Sequence, residues 1–340
     1  MNTKLLTVAP SPHVHQAQSV QKIMFGVIIA MLPVLLVSVY VFGISALYVS
    51  MVAVASCIIF EYAIQKYLLK QVPDVSDGSG IITGLLLAFN VPSNLPWYIV
   101  VIGSLVAIGI GKMSFGGLGG NPFNPALVGR VFMLISFPVQ MTSWPIANNG
   151  FWNIDGTTGA TILGLMKEGT QNGQSVQVLM KDSPSYTDML LGFQAGSIGE
   201  ISAIAILLGL VYMLYKKIIT WHTPISMLTA VAFFGGLLWM FDPRSFPDPV
   251  FHLLSGGVML GAVFMATDYV TSPVTYKGQL LFGAGIGLIT ILIRCFGSYP
   301  EGVSFAILIM NAFVPLIDKH IKPHRFGANS SPSYTKSTGK

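Results

Sequence analysis

The sequence predicts an all-α, polytopic membrane fold of about ten transmembrane segments, arranged as two inverted five-segment repeats with broken helices. Three observations predict it: composition, the spacing of apolar runs and an internal repeat. Of 340 residues, 53% are hydrophobic and 9% charged, and the mean hydropathy is +0.69. A soluble domain carries roughly a quarter charged residues. The net charge is +5, but the basic residues are scattered singly among apolar runs and form no stripe with interleaved aromatics, which excludes a nucleic-acid interface.

Measured against the roughly 20 residues that cross a bilayer, the apolar runs fall near 23–42, 45–64, 79–92, 95–111, 124–140, 199–216, 222–241, 250–270, 278–295 and 302–318. The first is too long for a signal h-region and lacks a cleavage site, so it is expected to stay as a helix. The third ends at "FNVPSN" and the eighth at "ATDYVTSP". Both stop at a polar residue followed by proline, where a helix loses a donor.

Basic residues concentrate in short cytoplasmic loops. With the N-terminus inside, 13 Lys and Arg face inward and 4 outward (Lys167, Lys181, Arg244 and Arg294), with Arg130 inside a segment. Both termini are then cytoplasmic and the polar stretch faces outward. The expected divisions are a cytoplasmic segment at 1–22, a first repeat at 23–140, an extracytoplasmic loop at 141–198, a second repeat at 199–318 and a cytoplasmic tail at 319–340.

The repeat runs without gaps at an offset of 178 residues and pairs Gly78 with Gly256, Ala88 with Ala266, Asn90 with Asp268, Gly109 with Gly287 and Pro122 with Pro300. Five segments per half force the second half into the membrane upside down. Such inverted repeats with paired broken helices mark transport folds with a polar site where the breaks meet. Asn90 and Asp268 are the paired candidates for an ion pathway, with Asp318 a third. Two unrelated glycine-rich halves, and a plain cap at Asp268, stay open as alternatives.

The polar stretch opens on "DGTTGATILG", residues 155–164. Asp155, Thr157, Thr158 and Thr161 supply a carboxylate and three hydroxyls, and Gly156 and Gly159 permit a tight backbone. Three readings follow: a helix start with Thr158 or Thr161 as N-cap, a phosphate-binding turn, or a hydroxyl presented for covalent modification. The P-loop spacing is missing, which argues against a nucleotide site. The residues alone go no further.

Residues Asp155 to Thr161 match D-x-x-[ST]-G-A-T, the acceptor motif of a flavin transferase. "SPHVH" near the start, "GGLGGNPFNPALVGRVFMLISFPVQMTSWP" at 116–145, "GSIGEISA" at 196–203, "HLLSGGVMLGAVFMATDYVTSP" at 252–273 and "GSYPEGVSFAILIMNAFVPLID" at 297–318 resemble the D component of the Rnf ion-translocating electron transport complex. They are also similar to the related B component of the sodium-pumping NADH:quinone oxidoreductase. The resemblance implies a redox-driven pump that moves electrons between ferredoxin and NAD and translocates Na+ or H+ across the bacterial inner membrane. It implies FMN joined to Thr161 by a phosphoester, with Asp155 in transferase recognition and Thr158, Gly159 and Ala160 shaping the turn. The implied partners are the transferase, membrane iron-sulfur and flavin subunits, and peripheral ferredoxin- and NADH-linked subunits.

"FGGLGGNPFNP" at 115–125 reads as a turn or, from the related quinone-reductase component, as a site for a second, non-covalent flavin such as riboflavin. Gly119, Gly120, Asn121 and Arg130 are its candidate residues. His222 and His252 sit at segment ends and read as caps or interface anchors; Glu61 and Asp318 read as solvated helix ends. Cys57 and Cys295 lie singly in apolar runs and read as inert thiols. No Ser-His-Asp spacing, cysteine cluster or dinucleotide fingerprint is visible, so no complete active site is expected on this chain. The competing function is a secondary transporter or channel without a redox cofactor.

Overall fold

The computed structural model describes residues 19–145, 158–181 and 183–323. Asp155, Gly156 and Thr157 of the attachment motif, the "SPHVH" block and most of the two terminal segments lie outside the described residues. The all-α, multi-pass class is as expected. Among the described residues, six helices are long and apolar enough to cross a membrane by length and composition.

Helix α1 (Val20–Phe42) is capped by Ser19, whose hydroxyl accepts from Lys22 N at 3.2 Å. After Gly43 comes α2 (Ile44–Ala63), prolonged by a π turn over Ile64–Leu68. The short α3 (Ser79–Phe89) starts after Gly78 and stops at Asn90, just ahead of the Pro92 step. Helix α4 (Trp97–Leu105) runs on through a π turn, Val106–Lys112, and a 3-10 turn, Met113–Phe115. Helix α5 (Pro125–Ser136) has Pro125 at its first position and Asn124 as N-cap, accepting from Ala126 N and Leu127 N. A short α6 (Pro138–Met141) leads to β1 (Trp144–Pro145), which pairs antiparallel with β2 (Thr158–Gly159).

The polar stretch folds into α7 (Ile162–Gln171), α8 (Val176–Lys181) and α9 (Tyr186–Leu191). Their apolar faces form a small core of their own, Ile162, Leu163, Met166, Val176 and Met189 packing on Phe251. Helices α10 (Ala203–Tyr215) and α11 (His222–Phe241) follow, then α12 (Pro249–Leu254) and α13 (Val258–Leu260), the last prolonged by a π turn, Gly261–Met265. Helices α14 (Tyr276–Phe296) and α15 (Val303–His320) are the last of the described elements.

The expected eighth segment, 250–270, is not one helix. It breaks at Ser255–Gly256–Gly257, where Gly256 has φ +61°. Only glycine adopts this left-handed geometry without strain. Segments three, five and six are also shorter than a membrane crossing, as Ser79–Phe89, Pro125–Ser136 and Ala203–Tyr215. Bounds recur at the 178-residue offset: Ile44–Ala63 and His222–Phe241 correspond end to end, and α5 and α15 begin at Pro125 and Val303. The two short helices that follow Gly78 (φ +84°) and Gly256 also correspond.

Helices α11 and α14 approach closely because Gly287 has no side chain: a Cβ there would lie 2.6 Å from Ala230 Cβ and 2.9 Å from Met227 O. In lipid, such small-residue contacts supply packing that the hydrophobic effect does not.

The Tyr186 hydroxyl donates to Asp248, tying α9 to the start of α12. Burial first, then the Asp248 carboxylate, raises the Tyr186 pKa above its ordinary value. A proton held more tightly in the folded state stabilises fully below the unfolded pKa of about 10, and that share is lost as pH rises further. We therefore expect stability to fall above about pH 10, and Tyr186→Phe to blunt that fall. Thermal melts of the detergent-solubilised protein across alkaline pH check it; identical pH slopes for both proteins would contradict it.

Candidate functional site

Thr161 stands at the head of α7 in extended geometry, and its hydroxyl caps the helix by accepting from Gly164 N at 3.1 Å. The geometric reading as an N-cap therefore holds. Thr161 is 8% exposed and lines two adjoining cavities. One, about 40 Å³, is walled by Arg130, Met141, Trp144 and Tyr299. The other, about 10 Å³, is walled by Gln194, Glu200, Ser255 and Glu301. Thr158 and Gly159 form β2 opposite Pro145 and Trp144, and the exposed Ala160 joins this strand to Thr161.

Arg130 lies at the bottom of this site. Its guanidinium donates to the Ser304 hydroxyl and to Glu301, and Glu200 Oε1 lies 3.8 Å from Nη2. Glu200 and Glu301 come from the loops that precede α10 and α15, and they act directly on each other. Arg294, near the end of α14, donates to the carbonyls of His252 and Ser255 at 2.7 Å each, and its charge acts on both carboxylates. Sequence reasoning missed Glu200 and Glu301. The available signal was the pattern Gly-Ser-x-x-Glu, which occurs at 196–200 and again at 297–301.

The third polar region lies at the other end of α5, about 9 Å from Arg130 along the helix, by a rise of about 1.5 Å per residue. There a cavity of about 90 Å³ is lined by Asn121, Asn124, Thr83, Lys112 and Asp268, with Leu86 and Phe264 among its apolar walls. Arg130 does not line it; its pairing with Glu301 holds it in the Thr161 site. The grouping of Arg130 with Gly119, Gly120 and Asn121 is thus corrected. The glycine stretch itself is a turn, with Gly116, Gly117 and Gly119 at positive φ and Gly120 N donating to Gly117 O.

Asp268 lines the 90 Å³ cavity and accepts from Thr271 Oγ1 at 3.1 Å and from Val270 N at 3.4 Å. Asn90 is buried, but its amide donates to Leu86 O and faces Met265 Sδ at 3.8 Å, so it does not share the cavity with Asp268. The ends of the two short helices nevertheless meet through this Asn90–Met265 contact, and the Met265 carbonyl also accepts from the Asn124 amide at the head of α5. Asp318 is half-buried and accepts from Val274 N at 3.3 Å.

Glu61 is not a solvated helix end. It is 1% exposed and pairs with the buried Lys112 at 2.5 Å; Lys112 also donates to Ser79 Oγ at 2.6 Å. The pair forms because the π turn after α4 brings Lys112 against α2 and the first turn of α3. It separates the 90 Å³ cavity from a larger one, about 300 Å³, lined by Glu61, Asp74 and Asp77. His222 is stacked between Trp221 and Tyr276, with ring centroids 4.1 and 4.5 Å away, as suits an anchor. His252 is instead buried beside Gly235 and caps nothing.

The sequence matches the NQR2, RnfD, RnfE family over residues 7–327. The chain belongs to this family. It is 46% identical over 332 residues to the D component of the Na(+)-translocating ferredoxin:NAD(+) oxidoreductase complex of Acetobacterium woodii, covering 96% of this chain and 97% of that one. It is 44% identical to the proton-translocating counterpart of Clostridium ljungdahlii, over 95% and 96% of the two chains. It is 40% identical to the D component of the ion-translocating oxidoreductase complex of Stutzerimonas stutzeri, over 92% and 93%. The resemblance to the D component of the Rnf complex therefore extends over nearly the whole chain.

Proposed function

We propose that this chain is the flavin-bearing membrane subunit of a redox-driven Na+ or H+ pump of the ferredoxin:NAD+ oxidoreductase type, with FMN joined through its phosphate to Thr161. The observation that carries this reading is the placement of the motif's last threonine at a helix N-terminus on the wall of a polar, partly aromatic site. The local residues fit the phosphate end of the group, while the adjoining cavities of about 40 and 10 Å³ are too small to enclose its ring, which packs outside them. The N–H groups at the head of the ten-residue α7 favour a phosphate. Gly164 keeps the hydroxyl free of a neighbouring side chain, since a Cβ there would sit 3.3 Å from Thr161 Oγ1. Trp144 and Tyr299 offer aromatic walls for a planar ring.

FMN, when bound, supplies electron acceptance and donation; the chain's residues position it and set the polarity around it. Donors and acceptors lie on the other subunits, namely membrane iron-sulfur and flavin subunits and peripheral ferredoxin- and NADH-linked ones. Both termini are placed on the cytoplasmic side of the inner membrane and Thr161 outside, supported by the 13 to 4 bias of basic residues. The recurring helix bounds support an inverted repeat whose broken helices carry the ion route past Asp268, Asn90 and Asp318.

A second, non-covalent flavin such as riboflavin is proposed for the cavity at Asn121, where the Asn121 and Asn124 amides and Asp268 offer partners for its polar edge. At about 90 Å³ this cavity is below the about 300 Å³ usual for such ligands, so its side chains part on binding. The same cavity is what favours the transporter reading, which has no covalent flavin.

The test is in-gel ultraviolet fluorescence of the denatured protein after co-production with a flavin transferase. A fluorescent band is expected, lost in Thr161→Ala. A dark wild-type band alongside an active transferase would favour the transporter.

A further inference from the structure

The polar groups beside Thr161 balance in charge but leave lone pairs unmatched. Glu200, from the loop before α10, and Glu301, from the loop before α15, face each other across the single guanidinium of Arg130. Glu200 Oε1 and Glu301 Oε1 are both buried without a hydrogen-bond partner, although native structures leave few such atoms unexplained. The wall of the 10 Å³ cavity between them carries the Ser255 hydroxyl, 1% exposed and also without a partner. A cavity of about that size holds one water when polar groups surround it.

The charged groups facing the pair are Arg130 from α5 and Arg294 from α14. Lys167 of α7 is committed to the carbonyls of Gly297 and Tyr299, on the loop that carries Glu301. His252 of α12 lies behind Arg294. Fully ionised, the two glutamates and two arginines cancel. A phosphodiester on Thr161 adds one negative charge at the edge of this site, and an electron on the attached ring adds another. In a buried, low-dielectric setting such a surplus is costly, and two facing carboxylates relieve it by sharing a proton.

We propose that Glu200 and Glu301 form a redox-linked proton site, which takes up one proton when the flavin on Thr161 is reduced and releases it on reoxidation. The inference rests on the covalent-flavin reading above. In balance, one electron reaches the flavin from its donor, one proton comes from water at the Thr161 end, and one O–H bond forms on the carboxylate pair. No protein bond breaks, and reoxidation reverses both transfers. The water-sized cavity at Ser255 is the route by which the proton arrives.

The test is a redox-induced infrared difference spectrum of the full-length protein, co-produced with the transferase and reduced electrochemically, with in-gel fluorescence run on each sample. On reduction, the carbonyl band of a protonated carboxyl is expected to appear and to shift in D2O. It is expected to be lost in Glu200→Gln and in Glu301→Gln while flavin fluorescence persists. Glu301→Asp, which keeps a titratable carboxyl, retains a band at a shifted position and guards against a merely structural loss. A fluorescent wild type without the carboxyl band, or a band unchanged in both glutamine variants, overturns the proposal. A wild type without fluorescence overturns the flavin reading itself, and this proposal with it.

Discussion

Lys112→Met is expected to destabilise the protein by about 3–5 kcal/mol, the range seen when one partner of a buried ion pair is removed. Both partners are at most 2% exposed, and Lys112 also holds Ser79 at the first turn of α3. Removing the ammonium strands the Glu61 carboxylate, whose second oxygen already lacks a partner. The double variant Lys112→Met with Glu61→Leu is expected to recover most of the loss, because an apolar pair of similar size avoids the desolvation of both charges. Thermal melts in detergent read both effects. A single variant within about 0.5 kcal/mol of wild type, the usual range of surface changes, would mean that the pair is solvated.

Arg130→Met is expected to have the second large effect, again about 3–5 kcal/mol, because it leaves Glu200 and Glu301 facing each other with only Arg294 nearby. The loss is expected to shrink at acidic pH, where the carboxylates are neutral. Arg130→Lys is expected to restore only part of the stability. One ammonium is a point charge and cannot reproduce the fork between Glu301 and the Ser304 hydroxyl. Equal losses for Met and Lys would show that the fork, and not the charge, is what matters; full rescue by Lys would show the reverse. Because α5 carries Arg130 and α15 carries Ser304, the variant is also expected to weaken the packing of α5 on α15.

What was legible in the sequence follows from local rules. Proline two residues after Asn90 marks the end of α3, and Pro125 after Asn124 marks the start of α5. Thr161 reads as an N-cap because a hydroxyl precedes an apolar helix, and it is one. The break at Ser255–Gly256–Gly257 was hidden by the apolar residues on both sides, although two adjacent glycines flagged it. Which charges pair was not legible, although the repeated Gly-Ser-x-x-Glu pattern marks Glu200 and Glu301. Lys112 lies 51 residues from Glu61, and Arg130 lies 171 from Glu301. Glu61 in particular stands near a helix end, where solvation is the ordinary fate, and only the π turn at Val106–Lys112 brings its partner in. Arg130 looked like a neighbour of Asn121 in sequence, yet two helical turns carry it to another site.

Whether Thr161 carries the flavin is tested most directly by peptide mass spectrometry of the protein co-produced with a transferase. Trypsin cuts after Arg130 and Lys167, with no Lys or Arg between them, so Thr161 falls in the single peptide 131–167. This peptide is expected to be heavier by the mass of FMN less one water, with fragmentation placing the addition on Thr161. An unmodified peptide, or an adduct on another residue, would contradict a flavin at Thr161.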